Sequence, residues 1–357
     1  MPVPLPDLPL PDVPLPDAAL RRLGLSGVRA VRPVTVGLTN RCWQVETGWN
    51  RRLFVKQFLG AEPERLRGQH RTVRALQERG LAVAAPLVTP EGRTLVEVAG
   101  DLFALYPWVE GRHLPGWLMH LGQARALGRQ LALLHHELAR LLPPGVPEPP
   151  APPDRDTALR AIDAFLVRIA RKPDRDAFDR FVRAHLPCRR ALLEAARPPR
   201  PSTAPEGASG WTHGDFHMAN VLWHGGRIAA VLDFDALAVR AYAQEVVRSL
   251  MLFFPSRDRR GLATAQAAAF VAGYRAVSPL SERQLAEAAE LLWWERACDL
   301  RHLERHYGRQ DRTRDHLFVT DGLMLSWWSG HPDQVATVLA GETALASIDA
   351  IPGGIPS

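Results

Sequence analysis

The sequence has almost no lysine. Of its 44 Lys and Arg residues, Lys56 and Lys172 are the only lysines. It is also poor in cysteine: Cys42, Cys188 and Cys298 lie far apart and form no CxxC pair. That excludes a disulfide framework and a cysteine zinc cluster. No apolar run reaches the ~18 residues needed to cross a bilayer, so no membrane partner is expected. No basic segment followed by an apolar one opens the chain, so no secretory signal is expected and the protein reads as cytoplasmic. Long blocks of like charge are missing too. The net charge is +6, but the arginines are dispersed among Asp and Glu. The positive excess therefore reads as a solvated surface, and no nucleic-acid partner is expected.

What is present describes an ordinary globular chain. It has 357 residues, 46% hydrophobic and 23% charged. At roughly 150 residues per domain this suggests two domains or one domain with two lobes. The 31 prolines are concentrated, with seven in residues 2–16, seven in 143–153 and four in 198–205. They mark a Pro-rich flexible tail over residues 1–20 and two linkers.

Residues 31–36, 42–46 and 53–58 are rich in β-branched and apolar residues and read as strands. Residues 62–79 read as a helix with Leu66, Val73 and Leu76 on one face, stopped by Gly80. Segments 82–88, 93–98 and 102–106 read as three more strands. This outlines a small, mainly antiparallel sheet lobe with one helix, over residues 21–106. After residue 106 helical periodicity dominates. Residues 121–142 carry Leu127, Leu131, Leu134 and Leu138 on one stripe, and 157–196 look helical with breaks. Ser281 and Gln284 form a capping box that opens a long helix to about residue 307. Within this larger helical region, 113–350, residues 211–235 form a polar interruption: two short apolar strands separated by His224-Gly225-Gly226.

That interruption holds the densest chemistry. It reads His213-Gly-Asp-Phe-His-Met-Ala-Asn220, then Val231-Leu-Asp-Phe-Asp235. Phosphoryl transfer needs a carboxylate for the attacking hydroxyl, oxygen ligands for Mg²⁺, a cation on the phosphates and backbone amides near them. The spacing from Asp215 to Asn220 matches the catalytic-loop pattern D-x-x-x-x-N. Asp233 stands where the following metal-binding Asp would, and Lys56 in Leu53-Phe-Val-Lys56 matches the strand lysine of V-A-I-K. In a chain that otherwise chooses arginine, a retained lysine suggests a site needing a compact point charge rather than a planar fork. Lys172, beside Pro173 in a polar stretch, reads as a surface residue.

The pair HGDFHxxN and LDFD resembles the aminoglycoside phosphotransferase/choline kinase family, which includes type II homoserine kinases and a bacterial stress-response Ser/Thr kinase. Gly37-Leu-Thr-Asn-Arg41 looks like that family's phosphate loop. Tyr106-Pro-Trp-Val-Glu-Gly111 looks like its hinge, and Leu127-Gly-Arg-x-Leu-x-x-Leu-His135 like the helix after it. The resemblance covers roughly residues 31–250. It implies an α+β, protein-kinase-like bilobal fold: a small antiparallel-sheet N-lobe with one helix, a hinge at 107–112 and a larger helical C-lobe. It implies ATP bound between the lobes with Mg²⁺, and transfer of the γ-phosphoryl group to a hydroxyl of a small molecule such as an aminoglycoside, amino alcohol, homoserine or sugar. Residue by residue, it implies Asp215 as the catalytic carboxylate and Asn220 and Asp233 as metal ligands. Lys56 would contact the α- and β-phosphates. The backbone of Gly37, Thr39, Asn40 and Arg41 would cover the phosphates, and that of Tyr106, Trp108 and Val109 would meet adenine. Monomer and homodimer are both left open.

Three departures stand out. Met218-Ala219 replaces a usual Pro-Gly, and Glu245 stands where an Asp is expected in the next helix. The helix glutamate that would pair with the strand lysine aligns with Gln69, leaving Glu62 or Glu64 as substitutes. Other readings remain open. The chain could be a Ser/Thr protein kinase or a nucleotide-binding pseudokinase. His213, Asp215 and His217 could instead hold a metal for hydrolysis. The tryptophan pairs at 293–294 and 327–328 read as core packing, with a cage for a cationic amine as the rival.

Overall fold

The computed structural model describes residues 13–34, 40–48, 51–146, 154–195 and 207–341. Two compact units emerge. The first joins residues 1–114, 134–145 and 210–239; the second joins 115–133, 146–209 and 240–357. The polar hairpin groups with the N-terminal sheet.

The first unit opens with helix α1 (Asp17–Arg22) and strand β1 (Val28–Pro33), followed by β2 (Arg41–Thr47) and β3 (Arg52–Phe58). Helix α2 (Pro63–Glu78), β4 (Val96–Val98) and β5 (Asp101–Pro107) complete the sheet lobe. The strands form one antiparallel sheet in the order β1-β2-β3-β5-β4. Alternation along β3 sorts its side chains onto two faces. Leu53 and Val55 join Trp43, Val45, Phe103 and Leu105 on one side. Phe58 joins Leu66 of α2, with Leu102 and Ala104, on the other. Each such fully buried side chain contributes about 1.5–3 kcal/mol.

Two expectations change here. The flexible tail was expected through residue 20. Instead Leu15, Ala19, Leu20 and Leu23 sit in the first core cluster, because α1 lays an apolar stripe on the sheet. Pro16 supplies a pre-set φ of −62° at its N-cap. Residues 1–12 of the tail lie outside the described residues. The strand expected over 82–88 does not form. That segment makes one bridge, Val83 to Val231, and its next backbone bonds go to the hairpin and to β5. Pro86, which cannot donate to a ladder, interrupts it.

The chain continues through α3 (Leu121–Leu141), α4 (Arg155–Ala170) and α5 (Ala177–Glu194). It then forms β6 (Ser209–Thr212), β7 (Val221–His224), β8 (Arg227–Val231) and β9 (Ala238–Ala241). Strands β7 and β8 are the expected hairpin. Its turn needs two left-handed residues and has them in Gly225 and Gly226, with φ of 55° and 78°.

The second unit is helical: α6 (Tyr242–Phe253), α7 (Thr264–Arg275), α8 (Glu282–Cys298), α9 (Arg301–Leu303), α10 (Asp315–Gly330) and α11 (Pro332–Ala340). Helix α6 packs on α8, and α7 on α11. The capping box of Ser281 and Gln284 is present. The helix it opens stops at Cys298, short of 307, because Asp299 turns extended and its carboxylate accepts from the Arg301 backbone N–H. The chain resumes as α9 and a π turn over Glu304–Gly308.

Trp293 and Trp294 are 1% exposed and meet edge to face, as core packing rather than an open cage. Lys172 departs from the surface reading. Its Nζ lies 2.5 Å from the carboxylate of Asp179, whose side chain has no exposed area, and Tyr307 donates its hydroxyl to the same group at 2.8 Å. The pairing holds the Asp179 carboxyl below its ordinary value: burial alone would raise it, but the Lys172 and Tyr307 hydrogen bonds outweigh that. Among the described residues, no helix is long and apolar enough to cross a membrane.

Candidate active site

The hairpin and the loop before it bring the polar motifs together. Asn220 and Asp233 are thirteen residues apart, yet the Leu232 N–H donates to the Asn220 carbonyl at 2.8 Å. Pairing of Val221 with Val231 fixes that register. The loop from Thr212 to Asn220 then folds on itself. Asn220 Nδ2 donates to the Asp215 carbonyl at 2.9 Å. Its Oδ1 is therefore the atom of that amide with lone pairs to offer a cation.

The two histidines brace the loop. His213 is fully buried. Its Nε2 donates to the Leu232 carbonyl at 2.9 Å, and its Nδ1 accepts from the Asp215 backbone N–H at 3.3 Å. A carbonyl only accepts and an amide N–H only donates, so these partners set the tautomer. Both ring nitrogens are thereby committed to backbone. That removes His213 as a metal ligand, and with it the reading of His213, Asp215 and His217 as a hydrolytic metal site. Among the described residues, no group of three or more His, Cys, Asp or Glu side chains is placed to hold a metal ion. His217 Nδ1 accepts from the Ala219 N–H, so its Nε2 carries the proton and donates to Asp215 Oδ2 at 3.1 Å.

Gly214 makes the loop possible. Its φ is +82°, and a Cβ there would lie 1.9 Å from the Ala236 carbonyl oxygen. Asp233, at the end of β8, also adopts a left-handed φ of 59°. Asp tolerates that region better than most residues, at a cost. Buried Phe234 and Phe216 flank His213 with ring distances of 4.7 and 5.8 Å.

Lys56 meets this cluster from β3. Its side chain is 8% exposed, with Nζ 2.9 Å from Asp233 and 2.8 Å from Asp235. Burial alone would push the ammonium's pKa down, but the two carboxylates outweigh it and hold the pKa above the ordinary lysine value. One ammonium cannot neutralise two carboxylates. Asp233 is held below its usual range: burial would raise it, and Lys56 overcomes that. Asp235 is raised by burial and by the neighbouring Asp233 charge, against the pull of Lys56.

The remaining expected residues fall as follows. Gly37 and Thr39 lie outside the described residues. Asn40 donates its Nδ2 to Asp235 Oδ2 at 2.9 Å, and its Oδ1 accepts from the Leu59 N–H. Arg41 opens β2, opposite Gln57. Tyr106 pairs with Phe54 in the sheet, and its hydroxyl lies 3.2 Å from His70 Nε2. Burial, aided by Lys56, pushes His70 down to about 4, so it is neutral at pH 7. The guanidinium of Arg52 sits 5.8 Å over the Trp108 ring, and half-buried Val109 follows it. The Cys42 thiol, pushed up to about 12 mainly by burial, stays protonated.

Neither expected substitute for the missing helix glutamate reaches Lys56. Glu62 caps α2 by accepting from the Glu64 and Arg65 N–H groups, and Glu64 pairs with Arg67. Gln69 donates to the Asp235 backbone carbonyl at 2.9 Å. The second carboxylate on Lys56 is Asp235, a residue the motif contained but to which the sequence reading gave no role. Its signal was the repeated acid in Asp233-Phe234-Asp235.

A strand lysine held by acids that follow a catalytic-type loop, on an antiparallel sheet followed by a helical unit, defines a protein-kinase-like phosphotransferase. The chain matches the model of the phosphotransferase enzyme family over residues 30–280, and it belongs to that family. Similar solved structures agree on the fold. A spectinomycin phosphotransferase solved with ADP and spectinomycin has a TM-score of 0.64 at 14% identity, covering 89% of this chain and 97% of that one. An aminoglycoside phosphotransferase from Alicyclobacillus acidocaldarius has a TM-score of 0.56 at 17% identity, covering 91% and 97%. An amicoumacin kinase solved with AMP-PNP and Ca²⁺ has a TM-score of 0.51 at 18% identity, covering 83% and 89%. No curated protein matches by sequence.

Proposed function

We propose that this enzyme transfers the γ-phosphoryl group of ATP, with Mg²⁺, to a hydroxyl of a small molecule. The observation that carries this is the convergence of Lys56, from the sheet, on Asp233 and Asp235 beside the Asp215–Asn220 loop. Two of the solved relatives named above, one holding ADP with spectinomycin and one holding AMP-PNP with amicoumacin, support the small-molecule acceptor.

Asp215 is the carboxylate that orients the acceptor hydroxyl and takes its proton. It is partly exposed, as a group meeting substrate must be, and His217 holds its Oδ2 in place. Lys56 contacts the α- and β-phosphates as a point charge. The backbone of Asn40 and Arg41 covers the phosphates, and the backbone of Tyr106, Trp108 and Val109, at a hinge over 107–112, meets adenine.

Asn220 Oδ1 and the Asp233 carboxylate would hold Mg²⁺. The donor set fits: both atoms are hard oxygens, and Mg²⁺ takes one or two protein ligands when phosphates supply the rest. Lys56 keeps Asp233 ionised for that purpose. Bound there, the ion supplies charge neutralisation at the phosphate oxygens.

The test is Asp215→Ala in an ATP-consumption screen over aminoglycosides, amino alcohols, homoserine, sugars and protein substrates. Loss of transfer with nucleotide binding retained is expected. Wild-type turnover in the variant would refute the role of Asp215. Nucleotide binding without transfer to any acceptor by the wild type would favour the pseudokinase.

A further inference from the structure

We propose that Asp235 is the positioning carboxylate of Lys56, replacing an acidic residue on α2, and that Gln69 is neutral because Asp235 already fills that role. The inference rests on the reading of Lys56 as the phosphate-contacting lysine.

The argument begins with charge. The Lys56 ammonium is nearly closed off from water, so it needs an ionic partner that stays. Asp233 cannot be that partner alone, since its carboxylate is also the one assigned to the divalent cation. Helix α2 offers nothing: Glu62 and Glu64 are engaged at its N-terminus, and Glu78 is its last residue. Asp235 is placed to stay. Asn40 holds its Oδ2 from the sheet, while Gln69 and Arg65 of α2 hold its backbone carbonyl at 2.9 and 3.3 Å. Asp235 is thus held at its carboxylate by the residue before β2 and at its carbonyl by α2, which fixes the group it touches.

Gln69 then has a physical reason. It is 8% exposed, and its Oε1 is buried with no hydrogen-bond partner. A glutamate there would bring a third carboxylate to the Asp235 carbonyl, next to two that already share the Lys56 ammonium. Like charges crowded around one shielded ammonium repel each other. The amide keeps the hydrogen bond to the hairpin and omits the charge. Asp235 and the helix position are thus alternatives, of which the site tolerates one.

The test is a double-mutant cycle of Asp235→Asn and Gln69→Glu, read in two ways. In ligand-free protein, Gln69→Glu should lower Tm in the wild-type background and lower it clearly less in Asp235→Asn. In turnover, Asp235→Asn should reduce kcat roughly 10–100-fold, the usual loss for a group that orients an active-site residue, with the acceptor KM little changed. Adding Gln69→Glu should recover about tenfold or more of that, an order of magnitude within the same range. Additive effects in both readouts would overturn the proposal. So would a turnover loss that excess Mg²⁺ relieves and Gln69→Glu does not, which would make Asp235 a metal ligand. If the wild type shows no nucleotide-dependent rise in Tm, the phosphotransferase assignment of Lys56 fails, and the ligand-free cycle still decides the pairing.

Discussion

His217 donates its Nε2–H to Asp215 Oδ2 at 3.1 Å, two residues away along the same loop. The direction is set by the other ring nitrogen, which accepts from the Ala219 N–H. His217 therefore orients the carboxylate without competing for the acceptor's proton. His217→Ala should lower kcat by about 10–100-fold, as for other residues that orient a reacting group, and leave nucleotide affinity near wild type. Steady-state kinetics with nucleotide and acceptor varied separately check this. An unchanged kcat would show that Asp215 holds its position unaided.

Lys56→Arg tests why this chain keeps a lysine among arginines. The ammonium, on a nearly closed-off side chain, fits 2.8 and 2.9 Å from two carboxylates. A guanidinium is larger and planar, and cannot present one point charge there. The expected outcome is a kcat/KM for ATP lower by about tenfold or more, equivalent to at least ~1.4 kcal/mol. An unchanged value would refute the point-charge argument.

Gly214→Ala should damage both the fold and the site. A Cβ would meet the Ala236 carbonyl at 1.9 Å, on backbone already at φ +82°. Backbone must move, and the moving segment joins His213 to Asp215. A destabilisation above ~1 kcal/mol is expected, beyond what the loss of glycine's freedom would return. Denaturant unfolding measures it. Gly225→Ala, where a Cβ meets nothing within 4 Å, is the milder comparison.

Lys172→Met removes the ionic partner of a carboxylate with no exposed side-chain surface. The buried group left short of a partner should cost about 1–3 kcal/mol. The pH dependence follows from the depressed Asp179 value. A carboxyl lowered in the folded state stabilises above its unfolded pKa of about 3.9 and loses that contribution as pH falls through the folded value. In the variant the folded pKa rises toward or past the unfolded one. The stability difference between the two proteins should therefore be full near neutral pH and shrink on acidification below about 4. A constant difference from pH 7 to 3 would show that Lys172 acts through packing alone.

The sheet lobe was legible because its strands are rich in β-branched and apolar residues, and α2 because Leu66, Val73 and Leu76 share one face. The 82–88 strand failed because apolar composition cannot show that the neighbouring positions are already paired. Residues 15–20 were hidden by the prolines over 2–16: composition weighs Pro as a tail signal, while the packing of Leu15 and Leu20 is a three-dimensional fact. The long helix from Ser281 was cut at Asp299 by a local side-chain bond that periodicity does not register.

By itself the sequence determined the class of protein: the types and spacing of Asp215, Asn220, Asp233 and Lys56 carry the resemblance to the phosphotransferase family to which the chain belongs. It also determined the turn at Gly225-Gly226, since local backbone demands are written locally. Which charges meet was decided only by tertiary structure. Lys56 and Asp235 are 179 positions apart, and the pairing depends on β8 registering against β7 and on β3 lying in the middle of its sheet. The same distinction separates the two lysines. Lys56 was marked by its motif, whereas Lys172 sits in an unremarkable polar stretch and gains its role because α5 buries Asp179 beside it.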